Sequence, residues 1–162
     1  MSFEIEIQNE NDYPIAVDGL QIAVETTLKR FDVHPDSSLS VVLTSNEAVQ
    51  ALNKQHRGIN APTDVLSFPA DSLPPEVTEE ENPYLGDLLI AFPYASEQAK
   101  KLNHKLEDSF ALLVIHGTLH LLGYDHDTPE NRAEMWLEQE AVLQELDIDT
   151  AIVPSLEGDD HA

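Results

Sequence analysis

The chain has 162 residues, 41% hydrophobic and 24% charged, with no cysteine; this suits one domain with a real core and excludes disulfides and thiolate metal ligands. Eight Lys and Arg face 31 Asp and Glu, a formal charge of −23, which repels polyanions at long range and lacks the basic footprint of ordinary nucleic-acid binders. No apolar run approaches a membrane span, and the opening MSFEIEIQNE lacks a basic region with an apolar core, so a cytoplasmic protein is expected.

Phe3 to Ile7 alternates apolar and polar, as a half-buried strand does. From Val17 to Phe31, Leu20, Ala23, Val24, Thr27, Leu28 and Phe31 recur at helical spacing. Leu39 to Leu43 is short, apolar and β-branched, a second strand. Ser45 or Asn46 caps a helix running to about His56, with Ala48, Val49 and Leu52 on its buried face. Residues 58–62 form a loop, and Val65 to Phe68 is a short strand that Pro69 ends.

Residues 70–83, with three prolines and a run of acids, read as an exposed, mobile loop. Leu85 to Ala91 reads as a buried strand, although Gly86 and Asp87 interrupt its apolar run. Pro93 suits the first turn of a helix through about Leu102. Leu106 to Leu122 is apolar on several faces, a core helix. Thr128-Pro129-Glu130 opens a last helix, with Met135, Leu137, Val142, Leu143 and Leu146 as its apolar positions. There is no internal repeat. The expected fold is α+β: a single domain over residues 1–150, a small mixed β-sheet packed with helices and a metal site on a buried central helix, followed by a frayed acidic tail at 151–162.

The segment that carries chemistry is His-Gly-Thr-Leu-His-Leu-Leu-Gly-Tyr-Asp-His, residues 116–126. His116 and His120, four apart on the core helix, stack on one face. Gly123 can take a left-handed conformation that ends the helix and turns His126 back toward the pair. Three imidazoles converging without a fourth ligand in the motif describe a metal site with an open position, where a water can be activated for hydrolysis. Ordinary core packing explains one buried histidine more readily than three around a turn-forming glycine. A structural metal is a further reading, but it would need a fourth side chain from elsewhere.

The ligand spacing matches that of the metzincin proteases, H-E-x-x-H-x-x-G-x-x-H, except that Gly117 stands where those enzymes keep a general-base Glu. A glycine accepts no proton, which disfavours a metallopeptidase. Asp125 and Asp127 flank His126 and are candidate partners for the ligands' second ring nitrogens, or simply turn residues. Tyr124 is expected to pack. Arg57, just past a helix, suits a phosphate or a developing negative charge, or else the helix dipole. Lys54 lies near it. Lys100, Lys101 and Lys105 form the other basic cluster, and His34, His104 and His161 are expected at the surface. The Thr63-Asp64 pair is either turn chemistry or the rim of a cleft.

Together, Leu52-Asn53 through His56-Arg57, Pro62 to Pro69, Leu85-Gly86-Asp87 and His116 to His126 resemble, in order and spacing and over essentially the whole chain, the YbeY family of bacterial endoribonucleases and ribosomal-RNA maturation factors. Two departures are His56, where an aromatic such as Tyr is common, and Leu112, where some relatives carry an additional His. The resemblance implies a small sheet packed with helices and one Zn2+ per chain on His116, His120 and His126 with a water. It also implies a functional arginine at Arg57. The expected activity is that of a single-strand-specific endoribonuclease in 16S rRNA 3′-end maturation and ribosome quality control. Expected partners are ribosomal RNA, the small ribosomal subunit and assembly factors, with no membrane and no DNA.

Overall fold

The computed structural model describes residues 3–31, 33–70 and 84–152. Four strands, β1 (Glu4–Gln8), β2 (Ser38–Thr44), β3 (Val65–Pro69) and β4 (Tyr84–Ala91), form one sheet in the order β1-β2-β4-β3. β1 pairs parallel with β2 and β2 parallel with β4, while β3 runs antiparallel to β4 at the sheet edge, with Val65 opposite Ile90. The helices are α1 (Val17–Lys29), α2 (Asn46–Arg57), α3 (Phe92–Lys101), α4 (Leu106–Leu121) and α5 (Pro129–Glu145). This is the α+β domain with a small mixed sheet that the patterning predicts.

Alternation along the strands sends side chains to two cores. Leu39, Val41, Leu43, Val65, Leu88 and Ile90 join the larger one, which α1, α4 and α5 complete. Leu66 and Ala91 join Val49 of α2 on the opposite face, where Leu52, Phe68 and Tyr94 pack around them. Every residue of α4 from Phe110 to Leu119 is buried, so this helix lacks a polar face and can only sit inside the layer. Burying side chains such as Phe110, Leu112, Ile115 and Leu119 stabilises the fold by about 1.5–3 kcal/mol each. That rigidity holds the last two turns of α4, which carry His116 and His120.

Helix ends follow the local chemistry. The Ser45 hydroxyl accepts from the Ala48 N–H and starts α2, and Gly58 in the left-handed region (φ 72°) ends it. Thr128 caps α5 by accepting from the Asn131 N–H. The Asn46 side chain accepts from the Tyr94 N–H at 2.8 Å, tying α2 to the start of α3.

Some expectations need adjustment or fall outside the described residues. Ile152, two residues past the expected boundary at 150, is buried in the larger core. Most of the acidic loop expected at 70–83 and most of the tail expected at 151–162 lie outside the described residues. His104 is half-buried, and its Nδ1 is buried without a hydrogen-bond partner among the described residues; His34 is exposed as expected, and His161 lies outside the described residues.

Candidate metal centre

α4 ends as the sequence predicts. The N–H groups of Gly123 and Tyr124 donate to the carbonyls of His120 and Leu119, and Gly123 has φ 103°. The chain doubles back and brings His126 over the two helical histidines. One ligand atom from each of His116, His120 and His126 lies within 4.8 Å of the others, a group that could hold one metal ion. His116 is fully buried and the other two are half-buried.

The hydrogen bonds decide which nitrogens face inward. His120 Nδ1 lies 3.0 Å from the Tyr124 carbonyl oxygen. A carbonyl only accepts, so this nitrogen carries the proton and Nε2 keeps its lone pair. His116 Nδ1 lies 2.7 Å from Gln139 Oε1, an acceptor as well. The two Nε2 atoms then face one another at 3.1 Å. Two lone pairs at that separation repel unless a cation lies between them. Nitrogens held about 2.0–2.1 Å from one tetrahedral zinc would be about 3.3 Å apart, so the donor set fits a metal of that size. Burial, then the charges of His126 and Arg57, lower the His120 pKa from 6.5, against the opposing pull of the Tyr124 carbonyl and Asp125. The imidazole is thereby kept in the neutral form that ligation needs.

Trp136 walls the site. Its ring meets His116 and His126 edge-on at centroid distances of 5.9 and 5.6 Å, and the Arg132 guanidinium lies 4.4 Å above it. In front of the histidines opens a cleft of about 490 Å³ lined by Arg57, Ser67, Pro69, His120, Gly123, Tyr124, Asp125, His126 and Asp127. Arg57 reaches it from the end of α2, where buried Asn53 accepts from its Nη1 at 3.3 Å and donates to the Ala61 carbonyl at 2.9 Å. The cleft thus sets one guanidinium beside the candidate metal site.

The other candidate residues divide between turn, cleft and packing. Asp125 and Asp127 face the cleft but serve the turn: Asp125 accepts from the His126 N–H and Asp127 from the Asn131 amide. The second ring nitrogens of His116 and His120 go to Gln139 and the Tyr124 carbonyl instead. Thr63 and Asp64 are buried at the start of β3, where Asp64 accepts from the Val65 N–H at 2.8 Å; Ser67 and Pro69 of the same segment reach the cleft. Tyr124 packs on Phe31 at a 5.6 Å centroid distance, as expected. Gln139 and Trp136 escape a sequence reading. The available signal for Gln139 is its place among Met135, Val142 and Leu143, where a polar side chain sits on the buried face of a helix.

A family model described as Endoribonuclease YbeY matches residues 4–147. The chain belongs to the YbeY family. It is 38% identical over 145 residues to the endoribonuclease YbeY of Mycolicibacterium smegmatis, covering 87% of this chain and 82% of the relative. It is 38% identical over 144 residues to that of Streptomyces coelicolor, covering 86% and 87%. A solution structure of a protein from Thermotoga maritima superposes with a TM-score of 0.56 at 28% identity, over 98% of this chain and 99% of that one. Among the described residues, no helix is long and apolar enough to cross a membrane.

Proposed function

We propose that this YbeY-family chain is a metal-dependent endoribonuclease specific for single strands. In this reading His116, His120 and His126 hold one metal ion, with zinc the candidate, and Arg57 is the catalytic side chain facing the scissile phosphate. The cellular role we assign is 16S rRNA 3′-end maturation and ribosome quality control on the small subunit, in the cytoplasm, alongside assembly factors. The observation that carries it is the pair of inward Nε2 atoms 3.1 Å apart, with Nδ1 of each ring already committed to an acceptor.

A metal bound there would supply Lewis acidity toward a phosphoryl oxygen and lower the pKa of a coordinated water. The protein does the rest. The Tyr124 carbonyl and Gln139 orient the imidazoles. Arg57 neutralises charge that builds on the phosphoryl oxygens, an effect of about 3 kcal/mol by analogy with one oxyanion donor. The cleft of about 490 Å³ has Arg57 on its lining, and in this reading it takes an extended single strand. The attacking group is either water or the substrate's own 2′-OH, and a 2′-deoxy substitution at the cleaved nucleotide blocks only the second route.

The test is metal content with stoichiometry on the purified protein, followed by cleavage of a single-stranded RNA by wild type and His116→Ala. One equivalent of metal, lost together with cleavage in His116→Ala, is the expected result. Full cleavage by a metal-free variant would overturn the proposal. The charge of −23 favours a second reading, a ribosome-assembly factor whose metal is chiefly structural. In that case stripping the metal unfolds the protein, and ribosome maturation survives once the fold is stabilised by other means.

A further inference from the structure

Gln139 is completely buried on α5, 2.7 Å from His116 Nδ1 through Oε1. Its other amide atom, Nε2, is buried with no hydrogen-bond partner among the described residues. A buried, half-satisfied amide costs stability, and the neighbouring core positions of α5 are Met135, Val142 and Leu143. An apolar side chain would pack there without that cost. What the amide does reach, through Oε1, is a histidine of the candidate metal site.

We infer that Gln139 is a positioning residue that selects which nitrogen of His116 carries the proton, and through that choice sets the metal affinity of the site. The inference rests on the metal-site reading above. With Oε1 toward the ring, Nδ1 holds the proton and Nε2 presents a lone pair inward. Turned over, the amide would present N–H donors to Nδ1. The proton would then belong on Nε2, aimed at His120 Nε2 3.1 Å away, and the two rings would satisfy each other and exclude a cation. Tyr124 offers His120 no such alternative, because its backbone carbonyl cannot exchange acceptor for donor. Of the two helical ligands, His116 is therefore the one whose readiness depends on a side chain.

The experiment uses the full chain with zinc as the probe. Zinc dissociation constants by chelator competition are compared for wild type, Gln139→Met and Gln139→Glu, and imidazole nitrogen shifts by NMR report the His116 tautomer in the zinc-free wild type. Gln139→Met keeps length but cannot accept strongly, and it should bind zinc about 10–100-fold more weakly. Gln139→Glu, once ionised, offers acceptors and no donor, and should bind at least as tightly as wild type. The wild-type spectrum should show His116 protonated on Nδ1. Gln139→Met within about threefold of wild type, Gln139→Glu as weak as Gln139→Met, or a wild-type His116 protonated on Nε2 would each overturn the inference. Should Gln139→Met fail to fold, the Glu variant and the spectrum still decide. A wild type that binds no zinc at all sinks the metal-site reading instead, and a zinc-free wild type with His116 protonated on Nε2 overturns the present inference independently of zinc.

Discussion

Gly117 lies so close to Leu88 that a Cβ added to it would come within 2.7 Å of Leu88 Cδ2, and within 3.3 Å of the Ser67 hydroxyl. α4 therefore rests directly on β3 and β4, one residue after the first metal-site histidine. The space in which a protease-type glutamate would begin at this position is filled by the sheet. The absent general base and the close helix–sheet packing have one steric cause.

Gly117→Ala sets two effects against each other. Alanine gains about 1 kcal/mol of helix propensity over glycine, while forcing a methyl against fully buried Leu88 costs about 1–3 kcal/mol. The net expectation is a destabilisation of about 1 kcal/mol, measured by urea unfolding of the metal-free protein. Gly117→Glu should be far less stable and gain no peptidase activity. A stable Gly117→Glu protein that cleaves a peptide library would contradict the packing argument.

Gly123 offers a cleaner case, because among the described residues no atom beyond its own chain neighbours lies within 4 Å of the position a Cβ would take. The cost of Gly123→Ala is then purely that of φ 103° for an L-residue, about 1 kcal/mol or more. The same turn places the Tyr124 carbonyl on His120 and aims His126, so zinc affinity should fall with stability. An affinity equal to wild type in Gly123→Ala would show that the return of His126 does not depend on this turn.

The core helix, the histidine triplet and the turning glycine were legible because each is a local pattern. An all-round apolar run means a buried helix, an i, i+4 pair means one face, and a glycine after the last turn means a left-handed cap. The strands were legible for the same reason, their alternation sorting Val65 and Leu66 to opposite cores. What could not be read is long-range. Gln139 meets His116 across 23 residues, and nothing in either segment announces the partner. Asp125 and Asp127 adjoin His126, and sequence leaves open whether they orient a ring or serve the turn; adjacency favours short-range bonds, to the His126 N–H and the Asn131 amide. The acceptor that serves His120 is a main-chain carbonyl, which no side-chain pattern reveals.

The lowered pKa of His120 makes stability pH-dependent in a definite direction. The unfolded chain, with an ordinary value of 6.5, binds a proton that the folded chain refuses. The contribution is fully present above 6.5 and is lost as pH falls through 6.5 toward the folded value. In the metal-free protein, His120→Gln should flatten the fall of unfolding free energy between about pH 8 and 5, by at most about 1.4 kcal/mol per pH unit for one proton. Identical slopes in the two proteins would show that His120 titrates alike folded and unfolded.

Arg57 is expected to act on the reaction rather than on the metal. Arg57→Ala should lower kcat about 100- to 1,000-fold on a single-stranded RNA with zinc affinity changed only a few-fold. Arg57→Lys should recover part of the loss, since a point charge replaces the fork that spans two phosphoryl oxygens. A loss confined to KM would recast Arg57 as a docking contact, and parallel losses of zinc and activity would make it part of the metal site's support.

The charge of −23 should alter the usual salt dependence of a nuclease. Proteins that bind nucleic acid through many basic contacts lose affinity steeply as salt rises, because the released counterions gain less entropy. Here the long-range field opposes encounter, and Arg57 in the cleft offers local attraction. Screening shortens the repulsive field to about 8 Å at about 0.15 M salt. The value of kcat/KM on free RNA should therefore be low at low salt and rise toward physiological ionic strength before it falls. On a ribosomal particle, where docking supplies local concentration, the early rise should be weaker. A steep monotonic fall of kcat/KM with salt on free RNA would mean that basic contacts outside the cleft carry the substrate, and the repulsion argument would be wrong.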